Sequence, residues 1–333
     1  MAASTDPRVR MVDLLLVPAF AGHALQLLRE DKPWLDGAAI KYWTTPGWHL
    51  FLPPWVIVAL AVVLAGCVVG LGLGRSRRWV VVVWLAYLAH YLTYPYRIRN
   101  HMTTLLLGLT VQAVPLLLAW RWGASDLRGR GPHTERVDRW IARGIAGVVV
   151  VTYLSAGLHK LNAAYLTPDP EVSPAARVAR DFLYAGELTG YYPPRWVLVG
   201  AIGLSLASEL LLPTAILLFE RWQYLLVAAL LLFHVPLVAA FNVSDYPMIA
   251  SAFFPCLLTR RSWERLQARL VRPDLFTIGG ALTGLGVQVW FMPWWGWMPA
   301  YGLMVVALWG WAIGAMVAVG YSRVRDRVAA SHS

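Results

Sequence analysis

The sequence is poor in charged residues and in cysteine. Only 14% of its 333 residues are Asp, Glu, Lys or Arg, whereas 58% are hydrophobic, a composition far from that of an ordinary soluble domain. Its two cysteines, Cys67 and Cys256, both lie in apolar stretches, which excludes a disulfide framework and a cysteine metal site. There is also no phosphate-binding glycine motif, no metalloprotease motif and no internal repeat. We therefore expect a chain without a bound metal ion.

Long apolar stretches recur along the whole chain, and most are long enough to cross a lipid bilayer. The sequence predicts an all-α, polytopic membrane protein with about 8–10 spans. The predicted spans are residues 11–28, 55–73, 80–94, 103–120, 144–161, 196–219, 224–241, 246–258, 277–291 and 298–321. Segment 246–258 is short and contains Pro247 and Pro255, so a broken or re-entrant segment is expected there.

The basic residues are distributed unevenly among the predicted loops. Loops on one side of the membrane carry more than twice as many Lys and Arg residues as loops on the other side. This asymmetry predicts that both termini are cytoplasmic. It also explains the net charge of +11 through contact with anionic lipid rather than with nucleic acid. We expect an integral protein of a bacterial cytoplasmic membrane.

Two stretches outside the predicted spans have helical patterns. Residues 134–143 place Val137 and Ile141 on one face and arginines on the other, which predicts an interfacial amphipathic helix before the fifth span. Ser173 and Pro174 form a helix start, with a capping residue followed by proline at the first helical position. The second pattern predicts an extracytoplasmic helix that ends near Leu188.

Lys160 is the most unusual residue, because it lies near the end of the apolar stretch 144–161. An ammonium group in hydrocarbon costs about 2.5 kcal/mol or more. Burial also favours the neutral amine, which can act as a base. The alternative interpretation is a lysine whose ammonium reaches the membrane surface through its flexible side chain.

The predicted topology brings further polar residues towards Lys160. Glu209 and His234 are expected at similar depth in the middle of the membrane and should hydrogen-bond to each other, directly or through one water, because neither can remain unpaired cheaply. Ala156 and Gly157 leave space beside the lysine side chain, and Tyr153 lies one turn further back. The residues expected in the extracytoplasmic half are His90, Asn100, His101 and His159.

Four sequence motifs resemble those of a known family. The segment Tyr153-Leu-Ser-Ala-Gly-Leu-His-Lys-Leu-Asn-Ala-Ala-Tyr165 is similar to a Tyr-x-x-Ala-Gly-x-Lys-Lys-Leu-Asp-x-x-Trp stretch of vitamin K-dependent gamma-glutamyl carboxylase and its bacterial HTTM-domain relatives. The other matches, in the same order, are Arg99-Asn-His-Met-Thr-Thr-Leu-Leu107 with Trp122-Gly-Ala-Ser-Asp126, Glu209-Leu-Leu-Leu-Pro213, and His234 with Phe241 and Tyr246-Pro247. The resemblance covers about residues 11–265.

The resemblance implies a chemistry that requires a lysine base. In the family, a neutral amine takes a proton from a reduced naphthoquinone of the vitamin K or menaquinone type. Reaction with O2 then gives an epoxide and drives the addition of CO2 to a carbon beside a carboxylate. Lys160 takes the role of the base, and Asn100 and His101 would hold the quinone oxygens or the oxyanion. The residues implied to bind the cofactor are Tyr153, Gly157, His159, His234, Glu209 and His90.

The sequence departs from the family pattern at His159, Asn162 and Tyr165, where the family has Lys, Asp and Trp. Residues 266–333 predict two more spans and a short basic tail, rather than the large extracytoplasmic domain that binds the protein substrate. We therefore divide the chain into an HTTM-like domain, 1–265, and C-terminal spans, 266–333, and expect a small or lipidic substrate. The alternatives are a quinone-binding electron-transfer component and a non-catalytic transporter or assembly factor.

The predicted orientation can be tested by cysteine labelling in a variant without Cys67 and Cys256. A cysteine at Asp169 should react with a membrane-impermeant maleimide added to intact cells. A cysteine at Arg128 should react only after the membrane is opened, because the basic loops are predicted to be cytoplasmic. The reverse labelling pattern would place Lys160 at the cytoplasmic end of its span.

Overall fold

The structure is a computed structural model that describes residues 6–30, 62–66, 68–70, 73, 78–93, 100–121, 132–184, 190–241, 245–271, 274–291 and 299–331. The described residues form helices and turns without any strand, which confirms the all-α prediction. Asn100 and His101 begin a helix, but their side chains lie outside the described part of the chain. Most of the predicted span 55–73 and the Trp122–Asp126 motif also lie outside it.

The described helices are α1 Pro7–Glu30, α2 Arg78–Thr93, α3 Asn100–Arg121, α4 Pro132–His159, α5 Ala163–Leu166, α6 Pro174–Tyr184, α7 Arg195–Leu210, α8 Leu212–Leu218, α9 Gln223–Phe241, α10 Asp245–Ala252, α11 Arg260–Leu270, α12 Leu275–Phe291 and α13 Pro299–Ser331. Short 3₁₀ turns occupy Glu220–Trp222 and Phe254–Leu257.

Four of the described helical segments are long and apolar enough to cross a bilayer: Met102–Arg121, Thr134–His159, Glu220–Val238 and Leu303–Ser322. The bent pair α7 and α8 supplies a fifth if it is one span. By length and composition the described residues therefore contain fewer spans than the about 8–10 predicted. The predicted segments 80–94 and 277–291 do form apolar helices, but their apolar parts, Trp79–Leu92 and Leu275–Val287, are shorter. The chain is an integral membrane protein.

Two helices differ from the predictions. Residues 134–143 do not form a separate interfacial helix, because they are the first part of the continuous helix α4. No glycine or proline interrupts that stretch. The predicted span 196–219 is instead broken at Leu211 and bends by 45° between α7 and α8. Pro213 accounts for the break, because proline has no N–H and clashes with the preceding turn.

Two other predictions agree with the structure. Helix α6 begins at Pro174, as the proline signal predicted. Segment 246–258 is broken: α10 ends at Ala252 and a 3₁₀ turn follows at Phe254–Leu257. The helix and the turn are each too short to cross a bilayer.

The chain divides into two compact units, Met1–Val149 with Met248–Cys256, and Val150–Pro247 with Leu257–Ser333. In the first unit α2 packs along α3, and Trp84 donates a hydrogen bond to the Thr110 hydroxyl at 2.9 Å. The ring of Phe253 lies against Gly108, where a Cβ atom would come within 2.3 Å of it. Tyr87 and Leu109 are fully buried in this unit.

In the second unit α12 and α13 form an antiparallel pair with direct backbone contact. A Cβ atom at Gly280 would lie 2.1 Å from the carbonyl oxygen of Gly310, and one at Gly314 would lie 2.0 Å from that of Phe276. Each helix carries two glycines four residues apart, Gly280 with Gly284 and Gly310 with Gly314. This spacing gives each helix a flat strip through which membrane helices approach closely.

We expect Gly280→Ala to destabilise the protein by about 1–3 kcal/mol, because the new methyl group meets backbone that cannot rotate away. Gly279→Ala is the matched control on the same helix, since nothing lies within 4 Å of its Cβ position. Alanine also favours helix formation over glycine by about 1 kcal/mol, so the control should unfold at or above the wild-type temperature. The measurement is thermal unfolding in detergent, and equal midpoints for the two variants would contradict the close packing.

Candidate functional site

Lys160 forms an ion pair with Glu209, and both residues belong to the second unit. Lys160 directly follows the last residue of α4, and its backbone N–H donates to the carbonyl of Gly157 at 3.1 Å. Its Nζ atom donates a hydrogen bond to Oε1 of Glu209, which lies in the last turn of α7. The Glu209 side chain is 5% exposed and that of Lys160 is 28% exposed. The ion pair is thus largely shielded from solvent.

The location of Glu209 on α7 bears on the two interpretations of Lys160. Tyr191, Tyr192 and Trp196 are exposed at the beginning of α7, and such aromatic residues are typical of membrane boundaries. Glu209 lies about 20 Å further along the helix axis. The lysine ammonium is therefore held at a carboxylate near the end of α7 that is distant from Trp196.

Gly157 allows α4 to approach α7 closely enough for this ion pair. A Cβ atom at Gly157 would lie 2.6 Å from Cδ2 of Leu210 and 3.3 Å from Cβ of Glu209. Lys160 comes three residues later, on the same side of the chain. The glycine predicted from sequence to leave space beside the lysine instead leaves space for the neighbouring helix.

Asn162 connects α4 to α5 and positions Tyr165 against the lysine. Its Nδ2 donates to the carbonyl of His159 at 2.8 Å, and its Oδ1 accepts from the backbone N–H of Tyr165 at 3.0 Å. The Tyr165 ring centre lies 5.2 Å from Nζ of Lys160, a favourable cation–π distance. The Tyr165 hydroxyl is 2.6 Å from Oγ of Ser205 on α7.

The segment after Lys160 runs back along α7 towards its beginning. Tyr165 and Ala175 pack against Ile202, and Ala176 and Ala179 pack against Leu198, one turn earlier. The Ser173 hydroxyl donates to the carbonyl of Tyr165 at 2.6 Å and holds this turn together. α6 is thus a wall beside the ion pair.

A salt-bridged arginine holds α6 to the loop before it. The Arg180 guanidinium pairs with Asp181 at 2.7 Å and with Glu171 at 2.5 Å. The hydrogen bond to Asp181 is the main reason that the pKa of Arg180 lies above its usual value. Of these two contacts, the one to Glu171 links α6 to the preceding loop.

An apolar cleft of about 840 Å³ lies beside Lys160 within the second unit. The polar groups in its lining are Lys160 and the hydroxyls of Tyr165, Ser205 and Ser208. The remaining lining is apolar and comes from α6, α7, α8 and α9, including Val178, Phe182, Ala201, Leu204, Leu232 and Phe233. Sites for apolar organic ligands commonly have this composition and volume.

The hydrogen-bond partners seen for His234 and Glu209 are other residues, and a contact between the two, directly or through one water, stays a prediction. Nδ1 of His234 lies 2.7 Å from the carbonyl of Leu230, so this nitrogen carries the proton, and Nε2 accepts from the Tyr153 hydroxyl at 2.9 Å. The ring also lies 6.1 Å from that of Trp309. His234 and Tyr153 are buried packing residues outside the cleft lining.

Two other residues predicted to belong to the site, His159 and His90, do not line the cleft. His159 is exposed and is not part of the cleft lining, because successive helical residues point about 100° apart. His90 is 2% exposed in the first unit, and its ring centre lies 5.9 Å from that of Tyr87.

The sequence interpretation missed Ser205 and Ser208, which line the cleft. The signal for them was present, since they lie four residues and one residue before Glu209 in an otherwise apolar helix.

Comparison with known proteins gives one match. A protein-family model described as the HTTM domain matches residues 10–263 of the chain. Neither a curated protein nor a solved structure matches it.

The contact at Gly157 can be tested through the reactivity of Lys160, one of only three lysines in the chain. Gly157→Ala should displace Glu209 by a few tenths of an ångström and weaken the ion pair. If the contact weakens by about 1 kcal/mol, acetic anhydride should modify Lys160 about threefold to tenfold faster, as measured by mass spectrometry. Gly147→Ala is the control on the same helix, with nothing within 4 Å of its Cβ position. Equal rates in both variants would show that Gly157 does not set the ion-pair geometry.

Proposed function

The chain belongs to the HTTM-domain family, and on that premise we propose that it is a membrane-embedded, quinol-dependent enzyme. HTTM is a membrane domain related to vitamin K-dependent carboxylase. In the proposal, Lys160 is the base that takes a proton from a reduced naphthoquinone. The observation that carries it is the Lys160–Glu209 ion pair beside an apolar cleft.

The residues around the cleft suit a naphthoquinone of the vitamin K or menaquinone type. Such a molecule has a flat aromatic head with two oxygens and a long apolar tail. The head requires polar groups at one place, which Lys160, Ser205 and Ser208 supply, and the tail requires the apolar lining from α6 and α9. Oε2 of Glu209 is buried and has no hydrogen-bond partner among the described residues. A buried acceptor of this kind normally finds a partner, and a ligand hydroxyl is one.

Glu209 gives Lys160 a way to become a base. As an ion pair, the ammonium and the carboxylate neutralise each other. If the proton passes from Nζ to Oε1 along their hydrogen bond, the products are a neutral amine and a neutral acid, and no unpaired charge is created. The amine can then accept a proton from a ligand hydroxyl. Tyr165 stabilises the ammonium that results, because its ring faces Nζ at 5.2 Å.

The chemistry beyond the proton transfer follows from the resemblance to the carboxylase. In the carboxylase, a reduced naphthoquinone and O2 would give an epoxide and water, with one oxygen atom in each. The C–H bond of the substrate carbon would lose its proton to the oxygenated quinone, and the carbanion would add to CO2. The apolar lining keeps bulk water away from these steps. We propose a small or lipidic substrate, since such a molecule can enter an apolar cleft between membrane helices.

We also propose that the protein lies in a bacterial cytoplasmic membrane, with Lys160 in the extracytoplasmic half. The support is the excess of Lys and Arg in the loops on the other side. Asn100 and His101 remain candidates for holding the quinone oxygens on the strength of the family motif alone.

The proposal predicts that Lys160 is indispensable for quinol consumption. Arginine keeps the charge but does not release its proton, and methionine keeps the length but has no basic nitrogen. Lys160→Arg and Lys160→Met should each reduce oxygen-dependent consumption of menaquinol by about 100-fold or more, the usual contribution of a general base. Quinol loss and epoxide formation would be followed together by chromatography.

The control is Lys41→Met, the same substitution in a polar segment of the sequence, and all variants must elute as folded protein in size-exclusion chromatography. Quinol consumption without epoxide would support the electron-transfer alternative instead. No consumption by the wild type, or wild-type consumption by Lys160→Met, would refute the role of Lys160 as a base.

A further inference from the structure

The second unit has another cleft, which is unrelated to Lys160 and is bordered by arginines. Helix α11 buries Trp263 and Leu266 and exposes Arg265 and Arg269. Because these two arginines are four residues apart, they occupy the same edge of the helix. They line a cleft of about 1110 Å³ together with Arg221, which precedes α9.

The cleft combines charge with apolar walls. Leu225 and Ala228 of α9 form one wall, and Met316, Val317 and Val319 of α13 form another. Leu225 is 62% exposed and Val317 is 49% exposed. Arg221 stands at the beginning of the candidate span Glu220–Val238, and Ser322 is the last residue of Leu303–Ser322. The arginines therefore line the cleft where these two candidate spans reach their polar ends. The apolar walls are formed by the parts of α9 and α13 that lie further inside the spans.

The arginines retain positive charge for a ligand. In the described part of the chain, neither Arg221 nor Arg265 has an acidic partner within ion-pair distance. Arg269 has only a long contact to Asp274, at 3.5 Å. The one carboxylate in the lining, Glu220, accepts a hydrogen bond from the Thr259 hydroxyl at 3.1 Å. The Arg221 guanidinium rests 5.4 Å from the Trp222 ring centre.

We propose that this cleft binds one anionic phospholipid, with its phosphate between Arg221 and Arg265 and its acyl chains along the apolar walls. Arginine is suited to phosphate because its guanidinium presents several donors in one plane. An anionic lipid matches both halves of the cleft, whereas a soluble acidic molecule would leave the walls at Leu225 and Val317 exposed. The loops that carry these arginines belong to the set that the charge distribution assigns to the cytoplasmic side. The lipid is therefore one of the inner leaflet.

The test is the thermal stability of the purified full chain in detergent, titrated with phosphatidylglycerol, with phosphatidylcholine or with inorganic phosphate. Phosphatidylglycerol should raise the unfolding midpoint in a saturable manner, and the other two should have little effect. In Arg221→Gln with Arg265→Gln, half-saturation should require about 30-fold more phosphatidylglycerol, because each interfacial arginine contributes about 1 kcal/mol and two are removed. The matched control is Arg260→Gln with Arg261→Gln, which removes the same charge from α11 outside the cleft lining.

Each result has a defined meaning. Loss of affinity in the cleft variant with retention in the control supports the site. Equal stabilisation by phosphatidylcholine would show that only the acyl chains bind, and full stabilisation by inorganic phosphate would show an ion site rather than a lipid site. Equal losses in both double variants would show general attraction to basic loops. Any of these last three results overturns the proposal.

Discussion

An ammonium group surrounded by apolar helices requires a counter-ion, because removing one charge of a buried pair leaves the other uncompensated at a cost of about 3–5 kcal/mol. In this chain the counter-ion of Lys160 is Glu209, and the surrounding structure follows from holding the two together. Gly157 lets α4 approach α7, and Asn162 ends one helix and begins the next. The chain then returns along α7 and forms the wall of the apolar cleft. The ion pair therefore sets both the local fold and the polar side of the cleft.

The sequence predicted a structural feature correctly where a single residue or a local pattern is enough to determine it. Lys160 was singled out because a charged residue is rare in an apolar stretch, and the structure gives it an internal carboxylate. The apolar pattern predicted α9 almost to the residue, and Pro174 marked the beginning of α6. These features depend on local chemistry that neighbouring residues are enough to reveal.

The sequence interpretation failed where the outcome depends on direction around a helix or on contact between distant residues. The structure pairs Glu209 with Lys160, a contact that was not predicted, because depth along a span contains no information about which face each residue occupies. The Gly280 and Gly310 contact was missed because the helices were assessed for length and hydrophobicity and not for the spacing of small residues. Ser205 and Ser208 were missed for a related reason, since weakly polar residues in an apolar helix do not stand out individually.

The two clefts of the second unit show how the same apolar helices can serve different ligands. Beside Lys160, the charge is already neutralised by Glu209, and the ligand that we propose there is a neutral apolar molecule with a hydroxyl group. Beside α11, Arg221 and Arg265 keep their charge and suit an anion. The difference lies in whether the protein supplies the counter-ion itself.

The central claim is that Lys160 and Glu209 stabilise each other as a pair, and a double-mutant cycle measures this most directly. The free energy of unfolding would be determined in detergent for the wild type, Lys160→Met, Glu209→Gln and the variant with both substitutions. We expect each single substitution to destabilise the protein and the double variant to recover part of the loss, with a coupling energy of at least about 1 kcal/mol. Additive effects within about 0.5 kcal/mol would mean that the two side chains do not interact, and the account of the site would then be wrong.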